Sequence, residues 1–391
     1  MEQSFLLYLA LLLVVAKLIE RILSRGGISP LVAHIMAGII LGPYVLKLIT
    51  PSTDLQAVSY LGLLLLMFYT GLTTNFGEMK RLSLWIVAIG ISGVLATISL
   101  SYLMLTHLGF DSFKALIISI LISNTATETT AAVVSRSSNE TVRSISVGAS
   151  VVDDILAVVM LGIITSAFTG TDTNTILNSL IASIALLFSS IALSEFLIRN
   201  PRLFYYRIAM NQLTFASTSI ILASVFALLA RLVGLNELIG AYLAGLIVGR
   251  GRESHDPLLL TGTAIVEFLD QLRIFLESLA LPLFFTYVGL LVSLQAIDLE
   301  LYFVLLLVAL AGKIVGCGLV TYVALRDKAV ATAVAIAMTG RGVLETALLK
   351  LLLDTGILKV SEYSTILLVA LSTTVLAPIM YGFVMRYRKE V

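Results

Sequence analysis

The chain has 391 residues, 59% hydrophobic and 13% charged, with a formal net charge of +1 and a mean hydropathy of +1.04. Soluble domains are about 45–50% apolar and about 25% charged, so this is a polytopic membrane protein whose solvent includes a lipid bilayer. The near-neutral balance excludes nucleic acid and large acidic ligands as partners.

Hydrophobic length, with charged or Pro/Gly punctuation, predicts an all-α chain of about thirteen spans. They are roughly 4–23, 29–49, 55–74, 82–106, 113–135, 145–168, 174–197, 209–231, 234–249, 271–294, 300–325, 329–353 and 362–385. The first lies where a signal peptide would, but its apolar core is too long and no small-residue cleavage site follows. Basic residues fall at alternate ends of the spans. One set runs from Arg21, Arg25, Lys80 and Arg81 to Arg386, Arg388 and Lys389; the other holds Lys47, Lys114, Arg231 and Lys359, with Lys350 as a further candidate. By the positive-inside rule the amino terminus faces outside and the carboxyl terminus the cytoplasm, as expected of a cell-membrane protein.

The fifth span carries Ser123-Asn124-Thr125-Ala126-Thr127-Glu128-Thr129-Thr130 at its centre, and the twelfth carries Thr339-Gly340-Arg341-Gly342-Val343-Leu344-Glu345 at similar depth. The two stand seven spans apart, an odd offset that runs them in opposite directions, which fits an inverted repeat of spans 1–6 and 8–13 around a linker, 174–197. Paired polar interruptions in corresponding segments point to a transporter site built on broken helices. Threonine can back-bond and glycine loosens a helix, so both centres can unwind and offer carbonyl ligands. The alternative is Thr and Gly acting as small packing residues in ordinary helices.

The sixth span holds Asp153-Asp154 about nine residues in, near mid-membrane at ~1.5 Å per residue. A charged aspartate there costs at least ~2.5–3.5 kcal/mol, and adjacent helical positions point ~100° apart, so the two acids need different partners. Lys313 in the eleventh span is too deep to reach the interface and is the basic partner expected for Asp153; a purely stabilising ion pair is the other reading.

Near mid-depth the acids Glu128, Asp153, Asp154 and Glu345 face the bases Lys313 and Arg341. Arg341 and Glu345, at i and i+4, can satisfy one another. Asp154, with Glu128 as a further candidate, is left needing a proton or a cation, which is the chemistry of cation/proton antiport. Thr125, Thr127 and Glu345 supply the oxygens that hard cations prefer. Glu237 is read as interfacial, and Glu277 stays open as another buried acid. Cys317, the only cysteine, rules out an intramolecular disulfide or a cysteine metal site. His34, His107 and His255 lack metal-ligand spacing and are read as structural or interfacial. No cofactor is implied.

Ser150-Val151-Val152-Asp153-Asp154-Ile155 resembles the paired-aspartate motif of bacterial and archaeal sodium/proton antiporters, within the monovalent cation:proton antiporter superfamily. Ala37-Gly38-Ile39-Ile40-Leu41-Gly42-Pro43, Gly240-Ala241-Tyr242-Leu243-Ala244-Gly245-Leu246 and Leu283-Phe284-Phe285-Thr286-Tyr287-Val288-Gly289 agree in order along nearly the whole chain. The resemblance implies Asp154 as the sodium- and proton-binding carboxylate and Asp153 as the partner of Lys313. It also implies crossed discontinuous helices at spans five and twelve, with Thr125, Thr127 and Glu345 nearby; Asn124 is a further candidate of the fifth-span run. A moving core (82–168 and 300–391) and a dimer-making scaffold (1–75 and 209–294) follow from the same likeness. So does an electrogenic exchange of Na+ or Li+ for H+. Glu128 departs from the family pattern, and Arg341 beside glycine is more familiar from potassium-transporting and electroneutral branches. Potassium/proton exchange is therefore the alternative, and a sodium-coupled solute symporter a more distant one. An intramembrane aspartyl protease is excluded, since its acids must converge from separate helices.

Overall fold

The structure is a computed structural model describing residues 2–24, 29–73, 84–134, 139–169, 181, 185–186, 189–190, 192–201, 206, 211–232, 237–253 and 260–387. All regular structure among them is helical. The helices are α1 (Glu2–Leu23), α2 (Pro30–Leu41), α3 (Thr53–Thr73), α4 (Leu84–His107), α5 (Ser112–Ser123), α6 (Thr127–Val134), α7 (Glu140–Thr169), α8 (Gln212–Leu232) and α9 (Glu237–Gly249). They continue with α10 (Leu260–Phe275), α11 (Leu281–Leu290), α12 (Leu299–Leu325), α13 (Lys328–Ala337), α14 (Val343–Asp354) and α15 (Val360–Tyr387). A π-turn, Leu276–Ala280, joins α10 to α11 without interruption. Six of the described helical stretches are long and apolar enough to cross a bilayer. The expected linker span, 174–197, lies largely outside the described residues, although 192–199 are helical.

Local chemistry sets the ends. The Asp111 carboxylate accepts from the backbone N–H groups of Phe113 and Lys114 and starts α5. Asp298 starts α12 in the same way. Arg326, left-handed at φ 57°, stops α12, and Asp327 caps α13 at once, giving a tight reversal. Three predicted boundaries move by five residues or more: the helix of the second span ends at Leu41 rather than about 49, and two helices start earlier than expected. The sixth span begins at Glu140 rather than about 145, and the tenth helix begins at Leu260 rather than about 271. In the last case Glu267, Asp270, Arg273 and Glu277 recur every three to four residues along an exposed face, which depresses hydropathy without breaking the helix.

The chain forms two compact units. The first comprises Met1–Ser52, Leu82–Ala157 and Phe285–Val391. Here α12 packs along α4, α13 and α15, α5 lies against α4, and α14 against α15. Its core includes Ile89, Val134, Ala149, Val334, Met338 and Tyr381. The second unit comprises Thr53–Arg81 and Val158–Phe284. There α9 is buried along α3 and α8. A Cβ added at Gly71 would stand 1.9 Å from the Tyr242 carbonyl oxygen, and one at Gly245 2.0 Å from that of Phe68, so α3 and α9 touch backbone to backbone. Lipid gives helices no hydrophobic reason to associate, and such close dispersion contacts take that place.

Candidate functional site

Both polar interruptions are real breaks. α5 ends at Ser123, Asn124 is extended (φ −71°, ψ 147°), and α6 resumes at Thr127. α13 ends at Ala337 and α14 starts at Val343, with Gly342 extended at φ −159°, ψ −149°. The two breaks touch. Ala126 N–H donates to the Gly340 carbonyl (3.2 Å), and the hydroxyls of Thr125, Thr129 and Thr130 donate to the carbonyls of Met338 (2.8 Å), Arg341 (2.8 Å) and Ala337 (3.3 Å). From α15, Thr374 also reaches the Arg341 carbonyl (2.9 Å). The unwound carbonyls of the twelfth span stitch the crossing together. Free peptide groups at this depth are too costly to leave unmet, and the threonines of the fifth span meet them.

The paired aspartates project from α7 into different surroundings. Asp153 is 1% exposed, and its Oδ2 accepts from the ammonium of Lys313, itself fully buried on α12. Its Oδ1 has no hydrogen-bond partner. Asp154 is only partly buried, and its Oδ2 accepts from the Thr127 hydroxyl at 2.5 Å, at the first residue of α6. One acid therefore faces a fixed cation, while the other is held by a neutral hydroxyl at a broken helix.

A second buried pair lies on the break of the twelfth span. Arg341 and Glu345 are each 1% exposed, with Nε and Oε2 3.5 Å apart. The guanidinium is anchored by the carbonyls of Thr339 (3.0 Å) and, on α12, Ala309 (3.4 Å). Both Glu345 oxygens lack a hydrogen-bond partner, as does Oδ1 of buried Asn124. These orphan oxygens surround the crossing, where a proton, a cation or water would satisfy them.

Of the predicted site residues, the structure joins Asp153 to Lys313, Thr127 to Asp154, Thr125 to the opposite break, and Arg341 to Glu345. The Glu128 side chain lies outside the described residues. Glu277 is corrected: it is 57% exposed and paired with Arg273 at 2.7 Å, so it leaves the count of buried acids. Glu237 binds Tyr60 (2.9 Å) and Arg231 (3.0 Å). His34 is buried with Nε2 2.9 Å from Glu20. Sequence reasoning missed Ala309 and Thr374; the polar pair Thr373-Thr374 inside an apolar span was the available signal for the latter.

The sequence model of the transmembrane sodium/hydrogen exchanger family matches residues 9–387. The chain is 25% identical over 387 residues to the Na(+)/H(+)-K(+) antiporter GerN of Bacillus cereus, covering 98% of this chain and 97% of that one. It is also 25% identical over 390 residues to a Na(+)/H(+) antiporter of Enterococcus hirae, covering 97% and 98%. Its fold matches that of the sodium proton antiporter MjNhaP1 from Methanocaldococcus jannaschii, solved at pH 8, with a TM-score of 0.71, 21% identity, and coverage of 97% and 96%. The chain belongs to the sodium/hydrogen exchanger family, whose members are multi-pass membrane antiporters rather than enzymes.

Proposed function

We propose that this protein exchanges Na+ or Li+ for H+ across the cell membrane by alternating access, with Asp154 as the carboxylate that cation and proton occupy in turn. The observation that carries the reading is the unequal treatment of two neighbouring acids. Lys313 pairs with a fully buried Asp153, whereas Asp154 is only partly buried and accepts from the Thr127 hydroxyl at a broken helix. A bare carboxylate crossing an apolar barrier is costly, so the site moves when loaded and uncoupled return is blocked. Thr127 orients the carboxylate, and Thr125 and Glu345 complete the polar surroundings.

The exchange is electrogenic in this reading. A cation drawing both aspartates toward itself removes the partner of Lys313, whose buried ammonium then releases its proton along with the one leaving Asp154. Residues 82–168 and 300–391 act as the moving core, and 1–75 and 209–294 as the scaffold of a homodimer. The two halves of the chain form inverted repeats, with the amino terminus outside and the carboxyl terminus in the cytoplasm. Replacing Asp154 by Asn abolishes sodium-driven proton flux in proteoliposomes; flux at the normal rate would overturn the assignment. Potassium/proton exchange is the second reading, favoured by Arg341 on the twelfth-span break and by the name of the Bacillus cereus relative. Dissipating a pH gradient with Na+, Li+ and K+ in turn separates the two.

A further inference from the structure

The ion pair bridges two helices, α7 through Asp153 and α12 through Lys313, and α4 lies against both. Gly90 of α4 meets α7: a Cβ there would stand 2.9 Å from the Ala149 carbonyl oxygen and 3.0 Å from Cβ of Val152, the neighbour of Asp153. On the other flank, Gly312 and Gly316 straddle Lys313 and press on α4. An added Cβ would lie 2.6 Å from Thr97 Cα and 2.5 Å from the Ser92 carbonyl oxygen, respectively. The Ser92 hydroxyl closes this contact by donating to the Gly316 carbonyl at 2.9 Å. Gly93 passes over the lysine itself; a Cβ there would be 3.6 Å from Nζ.

We infer that α4 is a spacer that fixes the separation of Asp153 and Lys313, with Gly90 and Gly316 as positioning residues for the exchange proposed above, on which this role rests. Backbone atoms cannot turn aside as a flexible side chain can, so a methyl group at either glycine displaces a whole helix. A fully buried pair has no water to take over a lengthened contact. Arg341 faces Asp153 and Lys313 faces Glu345 electrostatically, and Asp154 adjoins the pair, so a displaced pair alters the charge felt at each of these groups.

Gly90→Ala and Gly316→Ala test this in the full-length protein. Gly382→Ala in α15 is the control, because an added Cβ there meets nothing within 4 Å. In proteoliposomes, the pH of half-maximal sodium/proton exchange should move by about one unit in the two variants, the size expected when a neighbouring charge weakens, and stay put in the control. An unchanged profile in both overturns the positioning role. In detergent, each substitution should lower the melting temperature of the wild type more than that of an Asp153→Asn, Lys313→Gln background; equal losses in both backgrounds overturn the spacer itself. Should the wild type show no sodium/proton exchange at all, the proposed function falls, while the melting-temperature cycle still decides the spacer.

Discussion

At the scale of single residues, the site turns on how adjacent carboxylates acquire different chemistry from one helix turn. Asp153 and Asp154 share depth, but the ~100° between them aims one at Lys313 and the other at the break of the fifth span. The pairing of Asp153 was legible in the sequence because a buried aspartate needs a buried cation, and of the two bases at mid-depth Arg341 had Glu345 on its own helix face, leaving Lys313. The sequence offered Thr125, Thr127 and Glu345 as oxygens for a cation near Asp154, and singled out no hydrogen-bond partner for the carboxylate itself. Thr125 and Thr127 are two apart, and only the geometry of the unwound turn puts Thr127 on the carboxylate and Thr125 on Met338. A hydrogen bond to a charged group contributes about 1.5–3 kcal/mol, so Thr127→Val should raise the sodium concentration for half-maximal exchange by about tenfold or more at fixed pH. Thr127→Ser, which keeps the hydroxyl, should restore most of it. Sodium titrations of proton flux check both.

Among the elements, the crossing of the two broken helices is an unforgiving contact. A Cβ at Gly342 would lie 2.2 Å from Cβ of Ala126, and one at Gly340 2.4 Å from Cγ2 of Thr129. Gly342→Ala therefore drives the breaks apart, severs bonds such as Ala126 N–H to the Gly340 carbonyl, and costs about 1–3 kcal/mol of overpacking. Exchange should fall sharply and the melting temperature with it, and Ala126→Gly in the same chain should recover both by vacating the contested volume. No recovery in the double variant would place the defect elsewhere. That both spans break was readable from polar runs inside apolar segments. How the broken carbonyls are satisfied was not, because it depends on Thr129, Thr130 and Thr374 meeting groups more than thirty positions away. The tenth helix shows the opposite failure. Its exposed charged stripe looked like a boundary, and hydropathy alone does not distinguish one wet face from a loop.

Across the whole molecule, charge accounting leads to a voltage prediction. Two buried pairs, Asp153–Lys313 and Arg341–Glu345, are each neutral as units, and in the proposed reading Asp154 is the exchanged seat. If sodium simply replaced one proton on Asp154, the cycle would move no net charge. If the cation also dissolves the Asp153–Lys313 pair, two protons leave for each sodium bound, and one positive charge accompanies the protons. A potential of 100 mV acts on that charge with about 2.3 kcal/mol, equivalent to about a fiftyfold ion gradient. In vesicles oriented as the cell membrane, with equal pH on both sides, an inside-negative potential of about that size should drive sodium outward against a gradient approaching that ratio. Clamping the potential to zero should stop it. Sodium movement indifferent to potential would mean that the lysine keeps its proton throughout, and would leave Asp154 alone as the exchanging group. The Asp153→Asn, Lys313→Gln variant separates these cases within one preparation: if active, it should lose the response to voltage while keeping exchange driven by a pH gradient.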